Sequence, residues 1–238
     1  MKDILKVMRF DYLTAEPLAL KIYAVVCVIF FLLSSFIAPL LNCYITFASM
    51  IFVIALHTTE DKSGFNKMYG ILPVKRKNIT RARFLYMFLV FFLTELLETL
   101  LMLTDMKIRL YRFLPDRSTN LAQIIEQNYS DTQTPFIAVV AMTVLMCLIF
   151  SYVEMMGQIF GRENEMKIIL ITLGVMTVIF IGFFKLTELE IIPRFRVPEI
   201  PSDTAGMIKA AAVLNAVILA FSVIFGEITA AKLEKREL

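Results

Sequence analysis

The chain has 238 residues, of which 58% are hydrophobic, with a formal net charge of +3 and a mean hydropathy of +0.74. That apolar share excludes an ordinary water-soluble domain, and so small a net charge leaves no basic footprint for a nucleic-acid partner. No Gly/Ser linker divides the chain, and its length suits a single domain over residues 1–238.

Residues 1–13 read as an interfacial helix. At 100° per residue Lys2, Lys6 and Arg9 share one stripe, while Ile4, Leu5, Val7 and Met8 lie opposite. Asp3, Asp11 and Glu16 interrupt the N-terminus, so no cleavable signal peptide is expected, and the first membrane helix serves as the insertion signal. The 35 residues Ile22–Leu56 then carry no charged side chain. As one helix they would run about 52 Å at about 1.5 Å per residue. A bilayer core is only about 30 Å thick. The chain is therefore expected to form a hairpin, Ile22–Ser35 (extending toward Pro39) and Leu40–Leu56, broken near Ser34, Ser35 and Pro39.

Four further apolar spans follow: Phe84–Thr104, Phe136–Phe160, Ile168–Phe184 and Met207–Ala230. The expected fold is thus an all-α membrane domain with six transmembrane helices. With the N-terminus inside the cell, sixteen Lys and Arg fall on inside segments and eight on outside segments, which accounts for all 24. This bias places both termini in the cytosol. Residues 105–134 and 186–206 become external loops, the first with a short helix at Leu121–Gln127 and the second extended by Pro193, Pro198 and Pro201.

The largest inside segment is the loop 57–83. Phe65, Met68, Tyr69 and Leu72 recur at i, i+3, i+4 and i+7, one face of a two-turn helix that Ser63 can cap and Pro73 ends. Lys75, Arg76, Lys77, Arg81 and Arg83 follow. Such a helix suits either an anionic lipid surface or a groove on a soluble partner, and spacing alone does not choose.

The run Phe65-Asn-Lys-Met-Tyr69-Gly-Ile-Leu72-Pro73-Val-Lys-Arg76-Lys-Asn-Ile79-Thr-Arg-Ala82-Arg83-Phe84 resembles a segment of the small six-helix permeases of bacterial ABC-type exporters, the type-2 permease family. That family has a short aromatic-rich helix, then Leu-Pro, a small or polar residue, Arg, an aliphatic, and Ala or Gly before a basic–aromatic pair. Lys75 departs from it, standing where the family often has Ser or Thr. The resemblance implies a coupling helix that docks on a separate ATP-binding cassette subunit. Phe65, Met68, Tyr69 and Leu72 would be its anchors, Pro73 its turn, and Lys75, Arg76 and Lys77 rim charges facing the ATPase or lipid head groups. It also implies a second permease chain, identical or paralogous, a plasma-membrane location, and a hydrophobic or amphipathic peptide, antibiotic or lipid-like substrate.

The chain carries no phosphate loop of the GxxxxGK[ST] type and no GxSxG elbow. It is therefore not expected to be an enzyme, and ATP and Mg would be bound by the partner. Its single His57 reads as an interface residue, and Cys27, Cys43 and Cys147 read as buried thiols without metal-ligand spacing. The alternative class is a non-transporting scaffold or sensor whose basic loop recruits a regulator.

Four membrane carboxylates complete the reading. Glu95 and Glu98 share one face of the third span. Charge in hydrocarbon is costly, so they either line a translocation path or gate, or pair with Lys107, Lys185 or Lys209. Glu154 and Glu227 lie near the inner span ends, where each can reach the interface or pair with Arg81 or Arg83. Gly157 and Gly161 form a GxxxG, which permits close helix packing.

Overall fold

The computed structural model describes residues 2–14, 17–53, 75–109, 112, 126–129, 133–161 and 204–234, together with 164, 167, 170–172, 174, 175, 177, 178, 181, 182 and 185. The described residues form helices α1 (Lys2–Thr14), α2 (Pro17–Phe36), α3 (Pro39–Val53), α4 (Arg76–Ile108), α5 (Gln133–Phe160) and α6 (Thr204–Glu234), with no strand among them. Of these, α2, α4, α5 and α6 are long and apolar enough to cross a membrane. They occupy four of the six expected spans. The second expected span corresponds to the shorter α3, and the residues described between 167 and 185, within the fifth, are helical. Residues 54–74, which hold most of the expected coupling loop, and 186–203 lie outside the described residues.

The hairpin forms as the charge-free stretch requires, but its break falls at Ile37–Ala38 rather than at the serines. Ser34 and Ser35 sit inside α2 and are fully buried. Pro39 cannot donate to the preceding turn, and Ala38 is extended (φ −165°, ψ 134°), which lets the chain reverse. The return is antiparallel. Tyr23 meets Phe52 edge-on with ring centroids 5.1 Å apart, and seven residues later Phe30 stacks on Tyr44 at 5.9 Å. The first seven residues of α3, Pro39–Ile45, are 3-10 helix. A 3-10 turn rises about 2.0 Å per residue, so α3 reaches roughly 26 Å where a pure α-helix would reach roughly 22 Å. This brings a short helix close to the thickness of a bilayer core.

Helix α4 is the hub. It has 33 residues, roughly 50 Å, and overruns the expected Phe84–Thr104 at both ends. It packs on α1, α2, α3, α5 and α6. The buried share of its span is 39%, against 11% for α6. The main core joins Val53, Phe84, Met87, Phe91, Cys147, Met155 and Ile218 from four helices. Gly226 of α6 faces Phe84, where a Cβ would lie 3.4 Å from Cδ2, an ordinary contact distance.

Helix α1 is held by a separate cluster in which Val7, with Ile4 and Met8, packs on Ile79 and Ala82 of α4. The expected apolar face therefore divides: Val7 is buried, whereas Leu5 stands exposed with Tyr12 and Leu13. Exposed apolar side chains also cover α2 (Val25, Val28, Ile29) and α6 (Val213, Val217, Phe221). Such continuous apolar surface is a liability in water and ordinary in lipid.

One expectation is corrected outright. Gly161 is not part of a helix-packing GxxxG. It follows the last residue of α5 with φ 91°, a left-handed conformation that ends the helix and that glycine adopts without steric cost. Gly157 alone is buried in α5.

Candidate functional site: a buried polar seam along α4

One stripe of α4 faces its neighbours throughout. Phe84, Met87, Phe91, Thr94, Glu98, Met102 and Asp105 recur every three or four residues and are all buried. Alternating steps of three and four keep one seam turned toward packed neighbours. The stripe changes character along its length. It is apolar near the start of α4 and carries Thr94, Glu98 and Asp105 further on.

At the start of α4, here called the basic end, two arginines reach different helices because two residues advance the helix by about 200°. Arg81 grips Glu227 of α6 with both forks: Nε meets Oε1, and Nη2 donates to Oε2 at 2.8 Å. Arg83 is buried, with Nη1 3.9 Å from Oε1 of Glu154 on α5. Glu154 also accepts a hydrogen bond from Gln158. Both carboxylates thus take the arginine partners expected for them.

In the middle, Glu95 and Glu98 turn to different helices. Thr46 Oγ1 of α3 donates to Glu98 Oε1 at 2.7 Å, and Thr143 Oγ1 of α5 lies 3.4 Å from Thr46 Oγ1. Asn215 Nδ2 of α6 donates to Glu95 Oε1 at 2.9 Å. The Oε2 atom of each carboxyl group is buried without a hydrogen-bond partner. An uncompensated polar atom in a low-dielectric interior is costly. Neither pairs with Lys107, Lys185 or Lys209, all of which are exposed. The structure offers hydroxyl and amide donors in place of the lysines.

At the far end, Asp105 is fully buried. Ser34 Oγ of α2 lies 2.8 Å from its Oδ2, and the Tyr129 hydroxyl lies 2.9 Å from its Oδ1 and 2.9 Å from the Ser34 carbonyl. Arg109 closes the helix just beyond, left-handed at φ 53°, with its N–H donated to the Asp105 carbonyl at 2.9 Å. A cleft of about 410 Å³ opens between the α2–α3 turn at Ala38–Leu40 and the residues Gln127, Asn128, Thr134 and Pro135.

The residues expected to contact an ATPase are only partly visible. Phe65, Met68, Tyr69, Leu72 and Pro73 lie outside the described residues. Lys75 is exposed and extended immediately before α4, Arg76 is the first residue of α4, and Lys77 is half-buried in its first turn. The sequence reading missed Asp105, assigning it to an external loop, and missed Ser34, Tyr129 and Asn215 as partners. A signal for Asp105 existed: it stands seven residues after Glu98, so it falls on the same face. Nothing local in the sequence marks Tyr129.

The described helices define a multi-pass membrane protein with a single heavily buried hub helix. In comparison with known proteins, residues 8–113 are similar to the family described as ABC-2 family transporter protein. That similarity covers less than half of the chain and supports a type-2 ABC permease subunit. It runs from within α1, through the hairpin, to just past the end of α4. No curated protein and no solved structure matches the chain.

Proposed function

We propose that this chain is the membrane-spanning subunit of an ATP-driven exporter in a bacterial plasma membrane, with both termini cytosolic. Two permease chains, identical or paralogous, form the path between them. A separate ATP-binding cassette ATPase binds ATP and Mg and docks on the loop 57–83 through Phe65, Met68, Tyr69 and Leu72. Pro73 turns the chain, and Lys75, Arg76 and Lys77 lie at the rim of that contact. ATP binding on the partner favours one of two membrane states and so alternates the exposure of the path. Its cargo is a hydrophobic or amphipathic peptide, antibiotic or lipid-like molecule, and Glu95 and Glu98 line its route or gate.

The observation that carries this reading is the ABC-2 match over residues 8–113, because that stretch includes both the hairpin and the loop that follows it. Affinity purification of the full chain from its native membrane tests it. A cassette ATPase should co-purify, and Tyr69→Asp with Leu72→Asp should release it. Recovery of a regulator with no ATPase would favour the scaffold or sensor class instead. Replacing Glu95 and Glu98 together with Gln should reduce ATP-dependent transport or change the range of substrates carried. Unchanged transport would remove the two carboxyls from the path.

A further inference from the structure

The geometry points to Arg81–Glu227 and Arg83–Glu154 as a clamp that makes α5 and α6 move with the start of α4, so that a displacement at the loop before Arg76 is delivered to three helices at once. This inference rests on the proposed transporter function, in which that loop receives the stroke.

The placement of the contacts makes the case. Helix α4 begins at Arg76, directly after the loop. Within its first eight residues it is joined to three other helices. Val7 of α1 packs on Ile79 and Ala82. Arg81 holds Glu227 of α6 through both carboxylate oxygens. Arg83 approaches Glu154 of α5. No comparable charge pair links α4 to α2 or α3 among the described residues. There the polar contacts are single hydrogen bonds to hydroxyls: Thr94 to Tyr23, Glu98 to Thr46 and Asp105 to Ser34.

The two kinds of contact respond differently to shear. The forked Arg81–Glu227 pair fixes distance and orientation together, and charge assistance makes it stronger than a neutral hydrogen bond, while Arg83 and Glu154, 3.9 Å apart, add attraction without a fixed geometry. A lone hydroxyl bond re-forms after a small slide. The packing reinforces the division, because Gly226, next to Glu227, lies against Phe84 one residue beyond Arg83. Helices α4, α5 and α6 thus form one unit at the basic end, and the α2–α3 hairpin forms the surface against which that unit slides. The four charged residues act as positioning residues, through the helices they join.

Spin labels on Leu20 of α2 and Lys232 of α6, both exposed, report the slide. The full complex with its ATPase is reconstituted in nanodiscs, with one doubly labelled permease copy and with Cys27, Cys43 and Cys147 replaced by Ala. The label distance is read without nucleotide and after trapping with ATP and vanadate. The expected result is a nucleotide-driven distance change that Arg81→Glu abolishes while ATP hydrolysis and the unfolding temperature persist. Arg81→Glu combined with Glu227→Arg should restore the change. If Arg81→Glu does not assemble, Glu227→Gln takes its place and should at least halve the change. A full distance change in the single variants, or no recovery in the charge exchange, overturns the clamp and leaves the transporter reading standing. A parent complex that binds no ATPase, or shows no distance change on trapping, removes that reading and the clamp with it.

Discussion

The two ends of α4 solve the same problem with different chemistry. At the basic end, Glu154 and Glu227 are neutralised by arginines, one pair buried and the other with a third or more of each side chain exposed. At the far end, Asp105 is fully buried against the hydroxyls of Ser34 and Tyr129. Charge pairs hold three long helices together at one end. Hydroxyl contacts hold the hairpin and Tyr129 to α4 at the other. The difference teaches that burial of a carboxylate does not by itself predict an ionic partner. What matters is whether a neighbouring helix can bring a cation or a hydroxyl within reach.

Substitutions can break this comparison. The largest loss is expected for Glu154→Ala, which removes the carboxylate beside the buried Arg83 guanidinium. Removing one partner of a buried pair costs about 3–5 kcal/mol, to be read from thermal unfolding in detergent. Asp105→Ala should come next at about 2–3 kcal/mol, because the buried Ser34 and Tyr129 hydroxyls lose an acceptor. A loss there as large as that of Glu154→Ala would erase the distinction between the two ends. Tyr129→Phe keeps the ring and deletes only the hydroxyl, so about 1 kcal/mol is expected in the same unfolding measurement. Arg81→Ala should have the smallest effect on stability, under about 1 kcal/mol, because that pair is partly exposed. It nonetheless sharpens the comparison, since the proposed clamp assigns Arg81 a large effect on movement and a small one on folding.

Legibility in the sequence tracked how local each feature is. The hairpin was legible because a charge-free run too long for one span must turn, and Pro39 supplies the place. The pairing of Arg81 and Arg83 with Glu154 and Glu227 was legible because charges near span ends seek opposite charges near the same level. The partners of Glu95 and Glu98 were not. Their spacing of three put them on one face, yet α3 claims one through Thr46 and α6 claims the other through Asn215. Gly161 was misread because a GxxxG pattern does not state where its helix ends. The 3-10 opening of α3 carries no period that would distinguish it from an α-helix in so uniform an apolar run.

The sequence by itself determined that this chain lives in a membrane, that it enters and turns back at Pro39, and that its basic residues gather around the start of α4. Those features follow from the cost of charge in hydrocarbon and from what proline does to its own turn. Only the tertiary structure decided which helix answers each buried carboxyl group, that Asp105 belongs to the interior, and that α1, α2, α3, α5 and α6 all touch α4. These depend on contacts between residues as far apart as Arg81 and Glu227, whose meeting is set by helix packing, and packing leaves no mark in any local window of residues.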